Sequence, residues 1–167
     1  SKSLDEKGRL DFVNRVDDKK DRTLTLAVWN GHLSICELLL DAKADVNHVQ
    51  GTGHSPVLLL PLSNYPKLQR PHRLPLLDLL LSKGADPNVK DGRTVLHTAA
   101  AYGETALVAR LLQCPSIQIN MPDKKKDSPL NLSVWNARVP VVELLLQHKA
   151  DANYRLTGRT SLQLLSN

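Results

Sequence analysis

Glu37-Leu38-Leu39-Leu40-Asp41-Ala42-Lys43-Ala44-Asp45-Val46-Asn47 returns twice in this chain, as Asp78-Leu79-Leu80-Leu81-Ser82-Lys83-Gly84-Ala85-Asp86-Pro87-Asn88 and as Glu143-Leu144-Leu145-Leu146-Gln147-His148-Lys149-Ala150-Asp151-Ala152-Asn153. A looser copy runs from Arg110-Leu111-Leu112 to Ile119-Asn120. A repeat of this size is one supersecondary unit that buries its apolar face only against its neighbours. Repetition therefore defines an architecture and a kind of surface before it defines any chemistry.

Upstream of each copy lies a second conserved spacing within the chain. Arg22-Thr23-Leu24-Thr25-Leu26-Ala27-Val28-Trp29-Asn30-Gly31-His32 aligns with Thr94-Val95-Leu96-His97-Thr98-Ala99-Ala100-Ala101-Tyr102-Gly103-Glu104. Seven residues after the anchor Leu24 or Leu96 comes Gly31 or Gly103, suited to the left-handed residue that ends a helix abruptly. Asn64 and Ala137 fill that place in the other units, and a left-handed Ala137 is disfavoured by about 1 kcal/mol relative to Gly. Fourteen residues after Leu24 and Leu130 the second helix reaches its leucine triplet, at Leu38 and Leu144. The unit reads as helix, tight turn, helix and extended loop.

Hydroxyls before the first helices at Ser55, Thr94, Ser128 and Thr160 are N-cap signals, and Pro56 and Pro129 follow at the first helical position. Pro75 and Pro140 are expected at the opening of second helices, where a missing N–H is harmless. Ser3-Leu4-Asp5-Glu6 has capping-box spacing for a short N-terminal helix.

These motifs resemble the ankyrin repeat. Its T-P-L-H-x-A-A, G-H, L-L-L and G-A-D-x-N elements correspond to Thr94-Val95-Leu96-His97-Thr98-Ala99-Ala100, to Gly31-His32, to the leucine triplets and to Gly84-Ala85-Asp86-Pro87-Asn88, with anchor spacings of 33, 39, 34 and 32. Lys43 and Lys149 depart from the turn glycine, and the first two units lack the motif's His. The resemblance implies an all-α solenoid of helix-turn-helix units joined by extended hairpins. Its parts are a partial repeat 1–16, repeats 17–49, 50–90, 91–122 and 123–155, and a partial repeat 156–167 expected to cap or continue the stack. The chain, with its single Met at position 121, reads as a piece of a longer protein.

Composition narrows the function. With 41% hydrophobic residues but 4% aromatics among 167, Leu and Ala must carry the core. No apolar run approaches the roughly 20 residues of a membrane helix, and the N-terminus is no signal peptide. Cys36 and Cys114, both placed in helices, have no CxxC partner, which fits a reducing cytosolic or nuclear setting. The net charge of +5 admits an acidic partner but lacks the dense basic clustering that favours nucleic acid. His32, His48, His54, His72, His97 and His148 are scattered, and no catalytic constellation, metal site or cofactor loop stands out. A non-enzymatic monomer is expected.

The candidate sites are surfaces. Trp29 and Trp135 share one position that, in ankyrin arrays, faces the concave groove, so the resemblance implies a trough of Trp29, Asn30, Ala101, Tyr102, Trp135 and Asn136 for a peptide or protein partner. Hairpin tips add Lys124, Lys125 and Lys126, balanced in sequence by Asp123 and Asp127. The second unit carries an eight-residue insertion, and its segment 61–75, with four of the ten prolines and no acidic residue, reads as a stiff basic loop. With those tips it supports the alternative of nucleic-acid or anionic-surface binding. The resemblance also makes Asn47, Asn88, Asn120 and Asn153 candidates for asparaginyl hydroxylation, each residue otherwise capping its own hairpin.

Overall fold

The computed structural model describes residues 23–49, 55–62, 68, 70–89, 91–156 and 159–160. The Ser3–Glu6 cap, the partial repeat 1–16, Asn64 and the residues after Thr160 lie outside this set. The chain divides into two compact units, one within Ser1–Leu60 and Asn64–Asp86, the other within Pro61–Ser63 and Pro87–Asn167.

In the first unit, α1 (Thr23–Trp29) and α2 (Leu33–Asp41) form a helix pair around the left-handed Gly31. α1 buries Leu24, Ala27 and Val28, and α2 buries Cys36 and Leu40. α3 (Pro56–Leu59) is a single turn whose residues are all buried, and α4 (Arg70–Ser82) packs against α2 and α3. Asn47 links successive hairpins: its Nδ2 donates to the Gly84 carbonyl at 2.9 Å and its Oδ1 accepts from Asp86 N–H at 2.7 Å. Lys83 and Asp41 add an ion pair at 2.6 Å.

In the second unit, α5 (Val95–Tyr102) and α7 (Pro129–Trp135) pack side by side as first helices. α6 (Thr105–Leu112) and α8 (Val139–Gln147) pack as second helices behind them. Leu96, Ala99, Ala100, Leu107, Val108, Leu111, Leu130, Val141 and Leu145 fill the space between, each buried leucine contributing roughly 1.5–3 kcal/mol. The turns α5–α6 and α7–α8 use the same pair of bonds: Gly103 and Glu104 N–H donate to Ala100 and Ala99, as Ala137 and Arg138 donate to Val134 and Ser133. This closure needs a left-handed residue, and Gly103 (φ +75°) and Ala137 (φ +53°) both supply it. β1 (Arg155–Leu156) and β2 (Arg159–Thr160) form a two-residue antiparallel pair, and Asp91 and Arg93 form an isolated antiparallel bridge, short β-pairing of the kind extended hairpins make.

Four expectations need correction. The segment 61–75 is not wholly a loop, because α4 begins at Arg70 and Pro75 lies inside it. Arg73 extends the buried face of Leu76, Leu77 and Leu80 by a turn, its Nε donating to the Leu68 carbonyl at 3.2 Å, and the helix forgoes one N–H at the exposed Pro75. Ser55 has N-cap backbone geometry but its buried hydroxyl makes no hydrogen bond among the described residues, whereas Thr94 and Ser128 accept from His97 and Asn131 N–H. Cys114 follows α6 instead of lying in it, and hydrogen-bonds back to the Arg110 carbonyl at 3.9 Å. Finally, the side chains of Asn47, Asn88 and Asn120 reach the next hairpin as well as marking their own: Asn88 bridges Ser116 O and Gln118 N, and Asn120 accepts from Asp151 N.

Candidate functional site

An open cleft of about 600 Å³ lies in the second unit, lined by the end of α5, one face of α7 and the hairpin before α7. α5 contributes Ala101 and Tyr102, α7 contributes Asn131, Leu132 and Trp135, and Asn136 and Arg138 follow it. Arg93, Lys125 and Asp127 come from the hairpins. Trp135 is 71% exposed and Tyr102 38%, so two aromatic rings face solvent beside the small Ala101. Asn136 turns its amide inward, donating to the Leu132 carbonyl at 2.7 Å and closing the last turn of α7.

The hairpin side of the cleft is held by a buried carboxylate. Asp123 accepts from Arg93 Nε at 3.0 Å and from the N–H groups of Lys125 and Asp127 at 2.7 and 2.9 Å. Burial alone would raise its pKa, but the Asp127 and Lys125 N–H bonds and Arg93 together outweigh burial and lower it. Asp127 moves the other way, raised by burial and then by the negative charge of Asp123, and its buried Oδ1 has no hydrogen-bond partner among the described residues.

His97 ties this hairpin to α5. Its Nδ1 takes the Thr94 N–H at 3.2 Å and lies 2.7 Å from the Thr94 hydroxyl, while Nε2 is 3.1 Å from the Asp127 carbonyl. A backbone N–H can only donate and a carbonyl only accept, so the neutral ring with its proton on Nε2 fits both. Burial accordingly holds the His97 pKa below its ordinary 6.5. Asn131 occupies the equivalent position in the next repeat and is also buried.

Of the residues singled out from sequence, Ala101, Tyr102, Trp135, Asn136 and Lys125 line this one cleft. Trp29 and Asn30 belong to the first unit, where Trp29 is half-buried at the end of α1 and Asn30 donates to Leu26 O at 2.7 Å, the same closure as Asn136. Lys124 and Lys126 do not line the cleft: Lys124 reaches back along the preceding hairpin to Asp91 at 3.7 Å, and Lys126 is an exposed left-handed turn residue. Asp123 does not balance the lysines as its sequence position suggested, since it is buried and committed to Arg93. Arg93 and Asp127 were noted only as hairpin charges, and Asn131, Leu132 and Arg138 were missed. The signal for Arg138 was its place after the turn residue, where other units have His32 and Glu104.

The model for ankyrin repeats in three copies matches residues 69–155, and the single ankyrin-repeat model matches 24–50. The chain belongs to the ankyrin-repeat family. It is 32% identical over 123 residues to alpha-latrocrustotoxin-Lt1a of Latrodectus tredecimguttatus, covering 72% of this chain and 8% of that protein. It is 30% identical over 124 residues to human transient receptor potential cation channel subfamily A member 1, covering 72% of this chain and 10% of the channel protein. It is 33% identical over 120 residues to the Drosophila melanogaster ankyrin repeat and KH domain-containing protein mask, covering 70% of this chain and 3% of that protein. The chain thus spans a tenth or less of the length of these relatives. Ankyrin repeats are in general protein–protein interaction modules, and no helix among the described residues is long and apolar enough to cross a membrane.

Proposed function

We propose that this chain is a non-catalytic interaction module, a monomer acting as scaffold or adaptor, that binds a peptide or protein segment in the α5–α7 cleft. The carrying observation is the pair Trp135 and Tyr102, exposed beside an open cleft whose lining includes three cations, Arg93, Lys125 and Arg138, and one carboxylate, Asp127. Large aromatics in a preformed concavity supply much contact area with little ordering entropy. Trp29 and Asn30 hold the same positions in the first unit and are proposed as contacts there. Free Cys36 and Cys114 accord with a cytosolic or nuclear setting.

Nucleic-acid binding through the hairpin tips is the weaker reading, because Lys124 is engaged by Asp91 and Arg93 by Asp123. Affinity capture from cell extract at physiological salt, comparing wild type with folded Trp135→Ser and Trp29→Ser variants, tests the proposal. Protein partners lost with Trp135→Ser support it. Identical captured sets for all three proteins overturn it.

A further inference from the structure

We propose that Arg138 reads a carboxylate in this cleft, the occupant being a protein segment that presents an Asp or Glu side chain next to a bulky apolar residue. This rests on the protein-binding reading above and adds the partner chemistry and the residue that selects it.

Arg138 stands immediately before α8, yet its side chain does not cap that helix. It turns back to the end of α5, where Nε donates to the Ala101 carbonyl at 3.1 Å. The side-chain methylenes lie against Gly103, so closely that a Cβ there would fall 2.9 Å from Arg138 Cδ. The Ala101 carbonyl is one of the last four of α5, which have no acceptor role within the helix, and a cation at this end suits the helix dipole.

The guanidinium is therefore ordered before any partner arrives, which reduces the entropy lost on binding. With Nε used, the two Nη groups remain as a planar fork, and a carboxylate accepts from such a fork through two parallel bonds. Among the described residues no carboxylate forms an ion pair with Arg138. Lys125 adds a second cation to the lining, whereas Arg93 already serves Asp123. Trp135 and Tyr102 flank the same cleft and account for the apolar neighbour. A phosphate chain would need a stripe of available cations, and the cleft offers a pair beside exposed aromatics.

The test is selection of a random phage-displayed peptide library on the full chain. Enriched peptides are then synthesised and their Kd measured for wild type, Arg138→Gln, Arg138→Lys and Trp135→Ser, with thermal melts confirming folding. Enriched sequences should share one acidic residue at a fixed distance from Trp, Phe or Leu. Arg138→Gln should weaken binding about tenfold or more, and Arg138→Lys should restore only part, since it keeps the charge without the fork. Replacing the peptide's acidic residue by its amide should weaken wild type by a similar factor and leave Arg138→Gln unaffected.

Peptides without a shared acidic residue, or a loss in Arg138→Gln independent of that residue, overturn the assignment. If Trp135→Ser still abolishes binding in that case, the cleft reading stands. Absence of enrichment, or equal binding by wild type, Trp135→Ser and Arg138→Gln, overturns both. Displacement of the peptides by a single-stranded oligonucleotide with higher affinity overturns the peptide occupant.

Discussion

His97 Nε2 lies 3.1 Å from the Asp127 carbonyl, joining the N-terminus of α5 to the hairpin that opens α7 across thirty positions of sequence. The other side of the ring needs it neutral, since Nδ1 accepts the Thr94 N–H at 3.2 Å, and burial favours that form. The unfolded chain, whose His97 has its ordinary value of 6.5, takes up the proton first as pH falls. Stability is full above that value and declines below it, levelling off once the folded imidazole also protonates. His97→Asn, the side chain that Asn131 uses in the equivalent place, should give a lower Tm at pH 7.5 and a flatter dependence below the histidine value. Thermal melts over a pH series check this, and parallel curves for the two proteins would refute it.

Asn47→Ala should destabilise the first unit by about 1–3 kcal/mol, because it removes both side-chain hydrogen bonds, to the Gly84 carbonyl and from the Asp86 N–H, each contributing roughly 0.5–1.5 kcal/mol. Urea denaturation measures the loss. The same residue tests the modification proposal: co-expression with an asparaginyl hydroxylase should add one oxygen to the peptide containing Asn47, read by mass spectrometry. A peptide of unchanged mass would end that proposal for Asn47.

Ala137 and Gly103 make opposite predictions at equivalent turns. Ala137→Gly should stabilise by up to about 1 kcal/mol, since φ +53° disfavours a Cβ. Gly103→Ala should destabilise by about 1 kcal/mol or more, and its added methyl must also push Arg138 aside. A raised Tm in the first variant and a lowered one in the second would confirm both turns.

These turns show why much of the fold was legible. A left-handed residue seven positions after an anchor leucine is dictated by local backbone geometry, so Gly103 and Ala137 could be placed from spacing alone. Trp135 and Tyr102 were singled out through the resemblance, which implies that their positions face the groove, and both rings are exposed. Arg138 was not legible, because its role depends on reaching back 37 positions to the Ala101 carbonyl. Asp123 sits beside three lysines in sequence but is buried against Arg93, a partner set by packing. Pro75 misled through analogy with Pro140: the insertion lengthens α4 upstream, and the proline that opens one helix lies inside the other.

Ser55 and Ser128 occupy the same N-cap position with different bonding, and the difference is measurable. Ser128 Oγ accepts the Asn131 N–H at 3.2 Å, so Ser128→Ala should destabilise by about 1 kcal/mol. The Ser55 hydroxyl is buried and makes no hydrogen bond among the described residues, before a helix of four residues. Removing an unpaired buried hydroxyl relieves a desolvation penalty, so Ser55→Ala should be neutral or stabilising. Equal losses in urea denaturation would mean that Ser55 caps α3 in solution after all, whereas a loss confined to Ser128→Ala would locate the weaker helix start in the repeat that carries the insertion.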